Sequence, residues 1–171
     1  MSRLLLAIFF IILGAALIFL STSLPLAPTS PNTESQITET VAKPAKIYIP
    51  KLVKILDITD GQVRNNRWTV ATTGVSYLAS SALPGEIGNS VIYGHNRKDI
   101  LGDLPKVAVG DVIYITMQNG DIIKYEVFEK KEIKPTQVEI LNETKDSRLT
   151  IYTCSGFLDQ SRFVVIAKKI D

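Results

Sequence analysis

An all-β domain carried behind an apolar N-terminal segment is the architecture this sequence predicts. Three observations predict it. From Lys46 onward, short runs rich in branched and aromatic side chains alternate with turn signals, and such side chains suit a pleated surface better than a helix. No helical periodicity longer than about three turns follows the N-terminal apolar segment, which argues against strand–helix–strand crossovers. Roughly six to eight such runs fall within residues 46–171, a number that fits a sandwich or a closed barrel equally well.

The N-terminal segment comes first. Leu4 to Leu20 carries no charge and is preceded by Met1-Ser2-Arg3. At a rise of about 1.5 Å per residue, about 17 residues is the short limit for crossing a bilayer core. Arg3 and the amino terminus favour the cytoplasmic side, which sends the rest of the chain outward. A cleaved signal peptide is the rival reading, with a usual apolar core of about 7–15 residues. The run here is longer, and Ser21-Thr22-Ser23 is a loose cleavage site, so residues 1–20 are expected to form an uncleaved single-pass transmembrane helix. Both readings export the domain. Residues 21–45 are rich in Ser, Thr and Pro without apolar periodicity and are expected to be a spacer. A net charge of +2 with both signs scattered speaks against a nucleic-acid-binding face. The folded domain is expected over residues 46–171.

Within it, Ile47-Tyr48-Ile49 reads as a first strand, and Pro50 as an edge or bend because it has no ladder donor. Leu52 to Ile58 reads as a second strand. Asp60-Gly61 and Asn65-Asn66 mark loops. Trp68 to Tyr77 fits no single pattern, and Leu78 to Leu83 fits one or two helical turns ending at Pro84-Gly85. Ser90 to Tyr93 reads as a strand broken by Gly94-His95-Asn96. Ile100 to Val107 fits a short helix with Leu101, Leu104 and Val107 on one side. Val112 to Thr116 and Ile122 to Phe128 flank Asn119-Gly120, the strongest hairpin signal in the chain. After an irregular stretch to Ser147, Leu149 to Cys154 and Arg162 to Ala167 close the series. Alternation puts Arg162, Val164 and Ile166 on one face of the last strand.

The chain has one histidine and one cysteine, and both sit where a strand gives way to a turn: His95 and Cys154. A single cysteine in an exported chain forms no internal disulfide, so this thiol is free or pairs with another molecule. Arg162 on a largely apolar face is costly unless something anionic meets it. Thiol catalysis needs an activated sulfur and stabilisation of the oxyanion formed on the attacked carbonyl. Histidine serves as base and acid near neutrality, and arginine, permanently charged, serves the oxyanion. A locally bonded turn histidine and a small buried cysteine are the plainer alternatives. One His and one Cys fall short of a zinc site, and no Gly-x-Ser-x-Gly turn occurs. The residues by themselves describe an exported all-β domain with a lone Cys, a lone His and a nearby Arg.

Those residues also carry a resemblance. Thr150-Ile151-Tyr152-Thr153-Cys154 resembles the Thr-Leu-x-Thr-Cys signature of the sortases, membrane-anchored cysteine transpeptidases of bacterial cell surfaces. Pro84 to Asn89, running into Val91-Ile92-Tyr93-Gly94-His95-Asn96, resembles the segment ending in that family's histidine. Ile47 to Leu52 resembles its first strand, Leu104 to Asp111 the region after the histidine, and Arg162 to Ala167 its final strand. The likeness runs in order from about residue 46 to 170. It implies a closed eight-stranded β-barrel with short helices and an active site in a groove on its wall. Cys154 would attack an LPxTG-like sorting signal on surface proteins to give a thioacyl-enzyme. An amine acceptor, a cell-wall precursor or a pilin lysine, would resolve it. His95 would be acid and base, and Arg162 would hold carbonyl and oxyanion. Thr153 is assigned a structural role first. No cofactor or metal is implied: no acidic cluster marks a calcium site, and Glu126, Glu129 and Glu132 read as a solvated face. Only seven residues separate Cys154 from Arg162, a short loop for a region this family often uses to choose substrate. The alternative from another class is a non-catalytic exported β-barrel module that binds peptides or cell-wall polymer.

Overall fold

The computed structural model describes residues 42–64 and 67–171. The expected anchor over 1–20, most of the 21–45 spacer and the Asn65-Asn66 loop lie outside those residues. Strand β1 (Pro44–Ile49) alternates from Lys46 onward, burying Ile47 and Ile49 and turning Lys46 and Tyr48 outward. Pro50 opens a single 3-10 turn, and Val53, in the left-handed region at φ 52°, completes the reversal. The expected bend is therefore here. Strand β2 (Lys54–Gly61) continues through Asp60-Gly61, read from the sequence as a loop. Its parallel partner β5 (Val75–Leu78) stays in register as far as Gly61 opposite Leu78. Gly61 serves as a close-approach glycine in a strand: a Cβ there would run into the Tyr93 hydroxyl.

Between β2 and β5 lies a small ribbon of β3 (Val63–Arg64) and β4 (Arg67–Trp68). The helical turns expected over 78–83 do not form. The Ser81 amide and hydroxyl both donate to the Leu78 carbonyl, at 2.8 and 2.7 Å, a side-chain competition that favours turns over helix. Strand β6 (Gly88–Gly94) is buried along its whole length. Beyond it, Ile100 to Val107 makes one 3-10 turn at Leu104–Lys106 instead of an α-helix, since Pro105 removes a helical donor. The apolar set still faces inward: Ile100, Leu101, Leu104 and Val107 are all fully buried in the core. Strands β7 (Val112–Met117) and β8 (Ile122–Ile133) form the expected hairpin, with Gly120 at φ 92°. Strands β9 (Ser147–Ser155) and β10 (Ser161–Ile170) complete the set.

Neighbouring strands run β1-β2-β5-β6-β9-β10-β8-β7, and β7 pairs back to β1 to close an eight-stranded barrel. The choice between sandwich and barrel is thus settled by that last pairing. Two pairs, β2/β5 and β6/β9, are parallel and need long crossovers. Neither crossover uses an α-helix: β3–β4 lies in the first and the β7–β8 hairpin in the second. The short helices among the described residues are all 3-10 turns. Inward residues from every barrel strand fill the interior, among them Ile47, Ile92, Ile113, Tyr125, Ile151 and Val165.

Tyr125 is fully buried, and its hydroxyl accepts the Gly85 N–H at 2.7 Å. Tyr125→Phe should leave that amide without its partner and cost about 1–3 kcal/mol. The urea midpoint is expected to fall with an unchanged slope; an unshifted midpoint would show that the bond contributes nothing.

Candidate active site

Period-two alternation along three adjacent strands builds the site on the outer wall of the barrel. Tyr93 of β6 lies opposite Tyr152 of β9, and Tyr152 lies opposite Val164 of β10. These three form one rung. One rung over come His95 and Cys154, each two residues further along its chain, and Arg162, two residues earlier on the antiparallel β10. Arg162 is the direct cross-strand partner of Cys154. On the other side, the last β6/β9 pair is Gly94 with Thr153, so His95 and Cys154 are the next residues on their respective chains. All three sequence-predicted residues line one cleft of about 390 Å³. As alternation predicted, Val164 shares the face of Arg162, while Phe163, Val165 and Ala167 belong to the core.

Thr153 and Gly94 hold that register. The Thr153 hydroxyl is buried and donates to the Gly94 carbonyl at 2.9 Å, so the expected structural role of Thr153 has a definite form. A Cβ on Gly94 would come within 3.2–3.3 Å of Ile100, Val75 and Leu101. The chain can press this closely on the core just before His95 because that position has no side chain.

Two walls rise from the floor. One is Trp68 and Val70 from the β2–β5 crossover; the other is the end of β8 at Ile133 and the segment after it, including Val138, Ile140 and Leu141. Trp68 meets Tyr93 edge-on at 5.1 Å and Tyr152 at 6.2 Å, and the two tyrosines stack at 5.5 Å. Such pairs contribute about 0.5–1.5 kcal/mol each beyond their buried area. Burial pushes the Tyr152 phenol up, and Tyr93 beside it adds to the shift. Burial also raises Tyr93. The floor is therefore neutral as well as apolar.

Cys154 is a half-buried free thiol. Burial pushes its pKa up, the Arg162 cation pulls it back, and the Asp159 carboxylate reinforces the rise. Arg162 is held by its own backbone, with Nη1 donating to the carbonyls of Asp159 and Ser161, both at 2.8 Å. The loop supplying those carbonyls is tightly wound, with Gly156, Leu158 and Asp159 at φ 75°, 53° and 59°. The arrangement puts a thiol, an imidazole and a fixed cation in one largely apolar cleft. Such a set can form a thiolate by proton transfer and neutralise an oxyanion.

The sortase-domain family model matches residues 47–170. This chain belongs to the sortase family. In sequence it is similar to sortase A of Listeria monocytogenes, 34% identical over 100 residues, which cover 56% of this chain and 44% of that protein. The chain thus spans less than half the length of that relative over the match. Among solved structures, it is similar to sortase C1 of Streptococcus agalactiae, solved as a complex with MTSET, with a TM-score of 0.64 and 29% identity over 75% of this chain and 69% of that one. It is equally similar to the Sortase D5 transpeptidase of Clostridium perfringens, with a TM-score of 0.65 and 30% identity over 75% of this chain and 79% of that one.

Sequence reasoning missed the second rung and both walls of this sortase domain. Tyr93 and Tyr152 were within reach, because each stands two residues before a singled-out residue and must share its face. Trp68 carried no usable signal, lying in a stretch without periodicity. Asp159 was hidden in the short loop.

The charge environment of the sulfur sets the sign of two substitutions. A cation favours the thiolate, so Arg162→Gln should move the Cys154 titration further up. An anion disfavours it, so Asp159→Asn should move it down. Iodoacetamide alkylation followed against pH measures both, and coincident profiles for wild type and the two variants would contradict this electrostatic picture.

Proposed function

We propose that the protein is a cell-surface cysteine transpeptidase acting on an LPxTG-like sorting signal, with Cys154 as nucleophile, His95 as acid and base, and Arg162 as oxyanion ligand. The observation that carries this reading is the register pairing of Cys154 with Arg162, in one cleft with the chain's sole histidine. Membership of the sortase family supports it. His95 takes the thiol proton as Cys154 Sγ bonds to the threonine carbonyl carbon of the signal. The tetrahedral oxyanion is neutralised by Arg162. Collapse breaks the Thr–Gly C–N bond, and the glycine amine leaves with the proton held by His95. A thioester remains on Sγ. An acceptor amine, from a wall precursor or a pilin lysine, then attacks that carbonyl and gives its proton to His95. The new amide departs, and the thiolate recovers its proton.

The trough supports the choice of substrate. Successive rungs on one strand face are about 7 Å apart, the reach of about two extended residues. A peptide with its threonine carbonyl at the sulfur can thus lay an apolar Leu-Pro portion over Tyr93, Tyr152 and Val164. The 1–20 segment, read as a single-pass helix with its N-terminus in the cytoplasm, would hold the domain outside the cell near both substrates.

Incubation with LPxTG-type peptides should yield a covalent adduct by mass spectrometry that is absent in Cys154→Ala. A wild type that no peptide in a broad library acylates, with Cys154 inert to iodoacetamide, would instead favour the non-catalytic binding module. His95→Ala should lower kcat/KM by about 10²–10⁴ and Arg162→Ala by about 10²–10³, both with an unchanged circular dichroism spectrum. Near-wild-type turnover in either would remove that residue from its assigned role.

A further inference from the structure

One face of β6 carries more than the imidazole. Positions 89, 91, 93 and 95 share it by alternation, and two of them reach out to the walls of the cleft. Asn89 is buried, and its Nδ2 donates to the carbonyls of Ile140 at 3.0 Å and Asn142 at 3.2 Å. Those carbonyls flank Leu141, and Ile140 and Leu141 both line the cleft. The Asn89 side chain is itself oriented, because the buried Thr150 hydroxyl donates to its Oδ1 at 2.7 Å. At the other wall, the Tyr93 hydroxyl donates to the Thr69 carbonyl at 2.8 Å. Thr69 stands between Trp68 and Val70, both of which line the cleft. The Tyr93 hydroxyl has room to reach it because Gly61 carries no side chain.

Each wall is therefore fastened by a side chain of the strand that also presents His95. Neither fastening contact is a strand pairing, and neither is needed to close the barrel, whose eight strands pair without them. What the contacts fix is the separation of two irregular segments across the trough.

We propose that Asn89 and Tyr93 are positioning residues that set the width of the cleft, and through it the choice of sorting peptide, without taking part in bond making or breaking. This rests on the transpeptidase reading above. Walls held at a fixed separation are preorganised, so their loss should appear in binding.

Two conservative variants separate this from a purely structural role. Tyr93→Phe removes only the hydroxyl. Asn89→Asp keeps an acceptor for Thr150 but loses both donors to the wall. In wild type and variants, kcat and KM are measured for an LPxTG-type peptide and for a library varied at its first two positions. Each variant should raise KM about five- to tenfold, the effect of one or two hydrogen bonds, with the change in KM exceeding any change in kcat. Discrimination across the library should narrow. Hydrogen exchange, which needs no substrate, should quicken around residues 67–71 in Tyr93→Phe and around 138–142 in Asn89→Asp, with the barrel strands unchanged. Wild-type KM, library preference and local exchange in both variants would overturn the proposal, as would a fall in kcat at constant KM. If wild type turns over no peptide, the transpeptidase reading fails. The exchange pattern then still decides whether these two residues hold the walls.

Discussion

The parallel register between β6 and β9 is the constraint on which the site depends. Side chains on a strand alternate faces, so a slip of one residue would carry the whole outward set of β9 into the core and bring the core set out. Tyr93 stands beside Tyr152, and Gly94 beside Thr153, only in the observed pairing. The buried hydrogen bond from Thr153 to the Gly94 carbonyl locks this register at its last rung, one residue before His95 and Cys154. Barrel closure adds to the lock. Every barrel strand has two neighbours, so none is free to shift along an open edge.

Burial and charge then act against each other at the sulfur. The apolar, aromatic rung that floors the trough also withdraws water from Cys154, and burial raises its thiol. Arg162 offsets part of that rise from the adjacent strand. A raised thiol also carries less standing thiolate, the form that oxidants attack.

The sequence was most legible where a local rule had no competitor. Asn119-Gly120 imposed its hairpin, Pro50 its bend, and period two placed Arg162 and Val164 together. It misled where a tertiary contact outweighed local preference. Asp60-Gly61 looks like a loop, yet it extends β2 because a parallel neighbour needs the ladder and Tyr93 needs the space. Ile100 to Val107 has a helical spacing of apolar residues, yet Pro105 and burial at the barrel end produce a single tight turn with the same side chains inward. Cys154, His95 and Arg162 stood out as candidates because two are singular and one is out of place among apolar neighbours. The walls could not be read, since they belong to segments without periodicity whose position is decided by Asn89 and Tyr93 on a distant strand.

Arg162 illustrates one consequence of this construction. Both protons of Nη1 are committed to backbone carbonyls of its own loop, which leaves Nη2 and Nε as the free donors of the fork. A long flexible side chain normally surrenders its torsional freedom when it meets a ligand, at about 0.5–1.5 kcal/mol for each such residue. Here that freedom is surrendered when the chain folds. The wound loop between β9 and β10 thereby turns a swinging cation into a stationary one, aimed before anything arrives.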